Sequence, residues 1–222
     1  MSYEHDHEIL SRSAAGLGRR FEGTFAIETV ERLLHESYDL LAATSKIPNY
    51  LPLLAERFAA ERLRAIARTQ GALVSDTPEI LVVCTHNAGR SVAARVLLDH
   101  HGAGRVVVRS AGSAPGDEIN PAVAQILTER GLDVSKEFPK PLTDEAARSA
   151  DVIVTMGCGD ACPVYPGKRY LDWDLADPAG RPVDEVRPIV DEIDRRARAL
   201  LAELLATEPA RAPGPAPRSA PS

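Results

Sequence analysis

The spacing of apolar and polar positions changes character near residue 78. From Thr24 the apolar residues Phe25, Val30, Leu33, Leu34, Tyr38, Leu40 and Leu41 recur at helical spacing, with Glu, Arg and His between them. Pro48 and Pro52 punctuate a turn. Pro52 suits the first turn of a further helix running to about Arg68, with Leu53, Leu54, Phe58, Leu63 and Ile66 on one face. Residues 23–70 are therefore expected to form a small three-helix bundle. Residues 1–22 are polar with no sustained period and read as a flexible arm, in which His5 and His7 flank Asp6. Gly, Ser, Asp and Pro make residues 71–78 a linker.

Beyond the linker, short apolar runs alternate with helical periods. Strands are expected at 79–84 (EILVVC), 105–110 (RVVVRS), 151–156 (DVIVTM) and about 168–172 (KRYLD), and helices at 90–101, 120–131, 143–149 and 185–206. Such alternation implies an α/β domain over 79–206, with a parallel sheet covered on both faces and a ligand site at the carboxyl ends of its strands. Residues 207–222 are rich in Pro and poor in apolar side chains, so a disordered tail is expected.

Composition narrows the function classes. The longest apolar runs have strand length, far below the roughly 18 residues of a membrane span. The opening "MSYEHDHEIL" has no basic region followed by an apolar core, so a cytoplasmic location is expected. A formal net charge of -6 argues against nucleic acid as a partner, and any anion site must be built locally. The three cysteines, at 84, 158 and 162, make no disulfide framework; they suggest catalysis, redox chemistry or metal.

The chemistry concentrates in "ILVVCTHNAGRS", residues 80–91, where a strand ends in Cys84 and a helix opens near Arg90. A strand, a short loop and a helix N-terminus gather backbone N–H groups around one concave spot. Those groups and the helix dipole favour an oxyanion there, and a thiolate over a thiol at Cys84. Thr85, His86, Asn87, Ala88 and Gly89 supply the cradle. Arg90 can fork onto two anion oxygens, and Ser91 can donate to the sulfur. Asn87 can hold the loop closed through backbone bonds, and Gly89 is expected to allow a φ that other residues resist. The bland alternative is a buried core cysteine followed by a surface arginine. The complete set of Asn87, Gly89, Arg90 and Ser91 weighs against it.

A cysteine, five residues and then Arg-Ser after a first strand resembles the low-molecular-weight protein tyrosine phosphatase superfamily, as do "SAG" at 110–112 and the Asp-Pro in "LDWDLADPAG". The resemblance covers about residues 78–206. It implies a four-stranded parallel sheet with flanking helices, and either phosphatase or arsenate reductase chemistry. Asp177, directly before Pro178, matches the general acid, with Asp172 and Asp174 as nearby alternatives; the proline restricts the residue before it.

Three features separate the branches. Phosphatase members place proline after the Arg-Ser and aromatic residues after the Asp-Pro, whereas this chain has Val92 and Ala179-Gly180. "TMGCGDACP" adds Cys158 and Cys162 after the third strand, and it resembles the thioredoxin-coupled arsenate reductases. Arg95 stands where some of these reductases carry a glutamate that helps bind potassium, so no potassium requirement, metal or cofactor is expected. The resemblance implies that Cys84 attacks arsenate, Cys158 attacks Cys84, and Cys162 passes the disulfide to thioredoxin, with phosphate or sulfate as competing anions. Two core residues or a zinc site are the competing readings of the 158/162 pair, and zinc would lack neighbouring Cys or His ligands. Mycothiol is an alternative electron donor, a phosphomonoesterase an alternative activity, and a non-catalytic arsenic or redox sensor a second one.

"SKIPNYLPLLAERFAAERLRAIA" resembles the three-helix domain that precedes the reductase domain in some actinobacterial arsenate reductases. A homodimer through these helices is a candidate. Arg57, Arg62, Arg64 and Arg68, interleaved with Glu56 and Glu61, are expected to form a solvated face.

Overall fold

A computed structural model describes residues 2–43, 50–157 and 164–206; of residues 2–5 it describes the backbone alone. Four parallel strands, β1 (Glu79–Cys84), β2 (Val107–Gly112), β3 (Val152–Met156) and β4 (Arg169–Asp172), lie in the order β2-β1-β3-β4. All six residues of β1 are buried, as a central strand covered on both faces requires. Its side chains alternate between the two faces. Ile80, Val82 and Cys84 join the core beneath α4 (Arg90–Gly102), α5 (Pro121–Glu129) and α7 (Val183–Ala206), whereas Leu81 and Val83 pack towards α6 (Asp144–Ser149). At the carboxyl edge Cys84 stands in register with Gly112 of β2 and Met156 of β3, so the ends of three strands lie side by side there.

The expected strands and helices of the second domain are all present, with ends shifted by one or two residues. The N-terminal region departs from expectation. Residues 1–22 are not a loose arm: α1 spans Ser2–Arg20, and Leu10, Ala14, Leu17 and Phe21 are buried against α2 (Ile27–Ala42) and α3 (Leu51–Thr69). The three helices of the bundle are thus α1, α2 and α3, starting well before residue 23. The buried stripe of α1 is narrow and partly made of alanine, and Ser13 takes a place within it by donating to Glu56 at 2.5 Å. The apolar period is therefore weak in the sequence although the face is fully used. The proposed tail at 207–222 lies outside the described residues.

The arginines of α3 are not uniformly solvated either. Arg62 is buried and binds Glu36 and Ser37 of α2 and Glu145 of α6. Arg68 reaches Asp151 at 2.6 Å and the Thr77 carbonyl at 2.8 Å. Glu79, at the start of β1, accepts from the buried Arg109 of β2. A helix that packs on a second domain must satisfy charges on its inward face, and these pairs do so.

Candidate active site

The loop after β1 wraps one small cleft lined by Cys84, His86, Ala88, Gly89, Arg90, Asn120, Asp177, Pro178 and Ala179. Its carbonyls turn outward. Those of Cys84, Thr85 and His86 accept from the N–H groups of Ser113, Ala114 and Gly116, and that of Ala88 accepts from Asn120. A trans peptide holds its C=O and the following N–H on opposite sides, and the described chain has no cis bond. The N–H groups of Thr85, His86, Asn87 and Gly89 therefore turn away from that outer layer. This is the arrangement that collects donors for an anion.

Asn87 fixes the shape. It is fully buried with φ 46, one of two non-glycine residues with positive φ among those described. Its side chain is used at both ends: Oδ1 accepts from the Lys140 N–H at 3.0 Å, and Nδ2 donates to Ser91 Oγ at 2.9 Å. Ser91 Oγ lies 3.0 Å from Cys84 Sγ. Because that hydroxyl already accepts from Asn87, its own hydrogen is free for the sulfur, which suits a thiolate acceptor.

Two glycines serve close approach. Gly89 has φ -131, so the resisted φ expected of it belongs to Asn87 instead. Glycine is needed at 89 because an added Cβ would stand 2.6 Å from Cγ of Pro178. Gly157 has φ 71, and a Cβ there would come within 2.8 Å of Arg90 Nη1. Gly157 also accepts from Thr85 Oγ1 at 3.0 Å, so the residue before Cys158 is bonded to the residue after Cys84.

Arg90 is almost entirely buried. Nη2 donates to Asp177 Oδ2 at 2.9 Å and Nη1 to the Leu175 carbonyl at 3.3 Å. The other Asp177 oxygen accepts from the Ala179 N–H at 3.0 Å, and the carboxyl remains half exposed at the mouth of the cleft. Asn120, unmarked by sequence reasoning, donates to the Pro178 carbonyl at 3.2 Å and caps α5, tying the Asp-Pro turn to the loop. The alternatives to Asp177 differ in setting: Asp172 accepts from Thr155 at 2.6 Å, and Asp174 does not line the cleft. Arg95 is paired with Glu137, away from the loop. The structure thus brings Cys84, Asn87, Arg90, Ser91 and Asp177 together; Cys158 and Cys162 lie outside the described residues.

A buried sulfur beneath inward N–H groups, a guanidinium and a carboxyl at the rim can bind a tetrahedral oxyanion, attack its centre and protonate a leaving oxygen. Known proteins with the same frame carry out more than one reaction. The thioredoxin-dependent arsenate reductase Cg_ArsC1' of Corynebacterium glutamicum is 47% identical, with a TM-score of 0.81 over 90% of this chain and 98% of that one. A glutaredoxin arsenate reductase of Synechocystis is 27% identical over 57% of this chain and 98% of its own length. The YwlE arginine phosphatase of Geobacillus stearothermophilus is 27% identical, with a TM-score of 0.50 over 60% of this chain and 99% of that one. Residues 10–67 match the protein-tyrosine-phosphatase-like N-terminal domain, which agrees with a bundle that includes α1. Residues 79–210, more than half of the sequence, match the low molecular weight phosphotyrosine protein phosphatase family, and the chain belongs to it.

Proposed function

We propose that this protein reduces arsenate to arsenite, with Cys84 as nucleophile, Arg90 and the loop amides as the oxyanion cradle, Asp177 as proton donor, and Cys158 and Cys162 as a disulfide relay recycled by thioredoxin. The observation that carries the reading is the 47% identity to a thioredoxin-dependent arsenate reductase, extending over both domains.

Cys84 attacks arsenic, and Asp177 gives its proton to the departing hydroxyl, which leaves as water. An anion that engages Arg90 competes for the guanidinium now held by Asp177, so binding frees the carboxyl for that step. Cys158 then attacks Cys84 Sγ. The S–As electron pair stays with arsenic, As(V) becomes As(III), and a Cys84–Cys158 disulfide remains. Cys162 attacks Cys158 and releases the Cys84 thiolate, and thioredoxin reduces the Cys158–Cys162 bond. The two thiols that become a disulfide supply both electrons, which one cysteine cannot do alone. The bond from Thr85 to Gly157 supports the first exchange, because it holds the chain entering Cys158 beside the loop that leaves Cys84.

Ala179 and Gly180 offer no aromatic wall to an aryl phosphate, which disfavours the tyrosine phosphatase reading. A cytoplasmic site of action belongs to the proposal; none of the described helices is long and apolar enough to cross a membrane. Dimerisation through the N-terminal helices belongs to the same proposal. The test is arsenate-dependent NADPH oxidation with thioredoxin and thioredoxin reductase, beside hydrolysis of an aryl phosphate. Arsenate turnover that outruns hydrolysis is expected; fast hydrolysis with no arsenate turnover under thioredoxin, glutaredoxin or mycothiol would sink the reading.

A further inference from the structure

We propose that the N-terminal helices hold the nucleophile loop in its anion-binding shape, through a positioning pair made by Glu61 of α3 and Lys140 in the segment between α5 and α6. The inference rests on the reading of residues 84–91 as an oxyanion loop, and it assigns the helical domain a part in that site.

Residues 138–142 touch both domains at once. Phe138 is buried in the same apolar cluster as Leu10, Leu33 and Leu63 of the helical bundle. Lys140 follows two residues later with its side chain only 3% exposed, its Nζ 4.6 Å from the Phe138 ring centroid and 3.2 Å from Glu61 Oε1. The backbone of the same residue serves the other domain. Its N–H donates to Asn87 Oδ1 at 3.0 Å, and its carbonyl accepts from the Gly112 N–H at 2.9 Å. From Asn87 the path continues through Ser91 Oγ to Cys84 Sγ, in contacts of 2.9 and 3.0 Å. One buried lysine thus bonds α3 with its side chain and the loop with its backbone.

The energetics give the arrangement a direction. An ammonium removed from water needs an anionic partner, and losing that partner leaves a buried charge whose cheapest response is to move towards solvent. Two carboxyls stand near Lys140. Glu137 is engaged by Arg95, and burial pushes it above the ordinary carboxylate range against the pull of Arg95 and Lys140; Glu61 makes the direct contact. Displacing Lys140 would withdraw the N–H that holds Asn87 at positive φ. A non-glycine residue keeps that conformation only while its surroundings over-determine it. Misplacing Asn87 then releases Ser91 from its role at the sulfur.

The test compares Glu61→Gln, Lys140→Met, the double variant and Lys140→Arg in the full chain, with Cys158 and Cys162 replaced by serine so that Cys84 is the thiol read. Two quantities are measured well below each variant's melting temperature: affinity for inorganic phosphate, and the rate of Cys84 alkylation by iodoacetamide. Glu61→Gln and Lys140→Met are each expected to weaken phosphate binding and to change the alkylation rate by roughly three- to tenfold, a coupling of ordinary size between linked sites. The double variant should be no worse than the worse single one, and Lys140→Arg should restore most of the loss. Wild-type values in folded variants whose melting temperature alone falls would overturn the inference, since the pair would then be a fastening and nothing more. Alkylation needs no anion, so it decides the inference even where the unsubstituted chain binds no phosphate and the oxyanion reading itself fails.

Discussion

Gly89 is the residue at which position and chemistry are most tightly joined. An alanine there would drive its Cβ to 2.6 Å from Pro178, and the turn carrying Asp177 would have to give way. The atoms nearest that Cβ, its chain neighbours aside, all belong to Pro178 and none to Asn87, Ser91 or Cys84. Gly89→Ala is therefore expected to lower kcat for arsenate by about a hundredfold, the scale of a misplaced reacting group, with a much smaller rise in KM. Steady-state kinetics check this; an equal loss through KM alone would place Pro178 in binding rather than in positioning the acid. Much of this site was legible as a contiguous motif, since Cys84, Arg90 and Ser91 announce their chemistry by spacing. The supports were not, because Lys140 meets Asn87 across 53 residues and Asn120 meets Pro178 across 58. No local period records contacts of that length. Gly89 shows the limit from the other side: the sequence marks a glycine, and only packing reveals that it clears space and does not adopt an unusual φ.

Among the elements, α1 carries the clearest consequence. The second domain was readable because short apolar runs, helical periods and turn residues agree there, and each strand was found within two residues of its expected place. In α1 the buried positions Leu10, Ala14 and Leu17, with Phe21 just beyond its end, are diluted by serine, glycine and a second alanine, so the stripe reads weakly. The helix is stabilised by what it lies against, as most protein helices are. Leu17 is 3% exposed, and Leu17→Ala is expected to cost about 2–5 kcal/mol, the usual range for a leucine emptied from a packed core. Urea denaturation measures it. An unchanged midpoint would mean that Leu17 contributes no packing to the bundle.

For the whole molecule, the contact between the domains is polar as well as apolar. Arg62 with Glu145, Arg68 with Asp151, and Lys140 with Glu61 cross from the helical bundle to the sheet domain, and Phe138 crosses in the opposite direction. A net charge of -6 makes the proposed oxyanion site a local exception, built from backbone donors and one arginine. The fold is shared with phosphatases, so the architecture cannot choose the reaction; in the proposed mechanism the two downstream cysteines do. Trapping the first exchange tests that claim most directly. Reduced Cys162→Ser protein, given one equivalent of arsenate and no other reductant, is predicted to yield arsenite in a single turnover and to lose about 2 Da, with the Cys84 and Cys158 peptides joined in the mass spectrum, as a two-electron thiol oxidation requires. Protein that keeps its mass and both free thiols while releasing no arsenite would contradict the account.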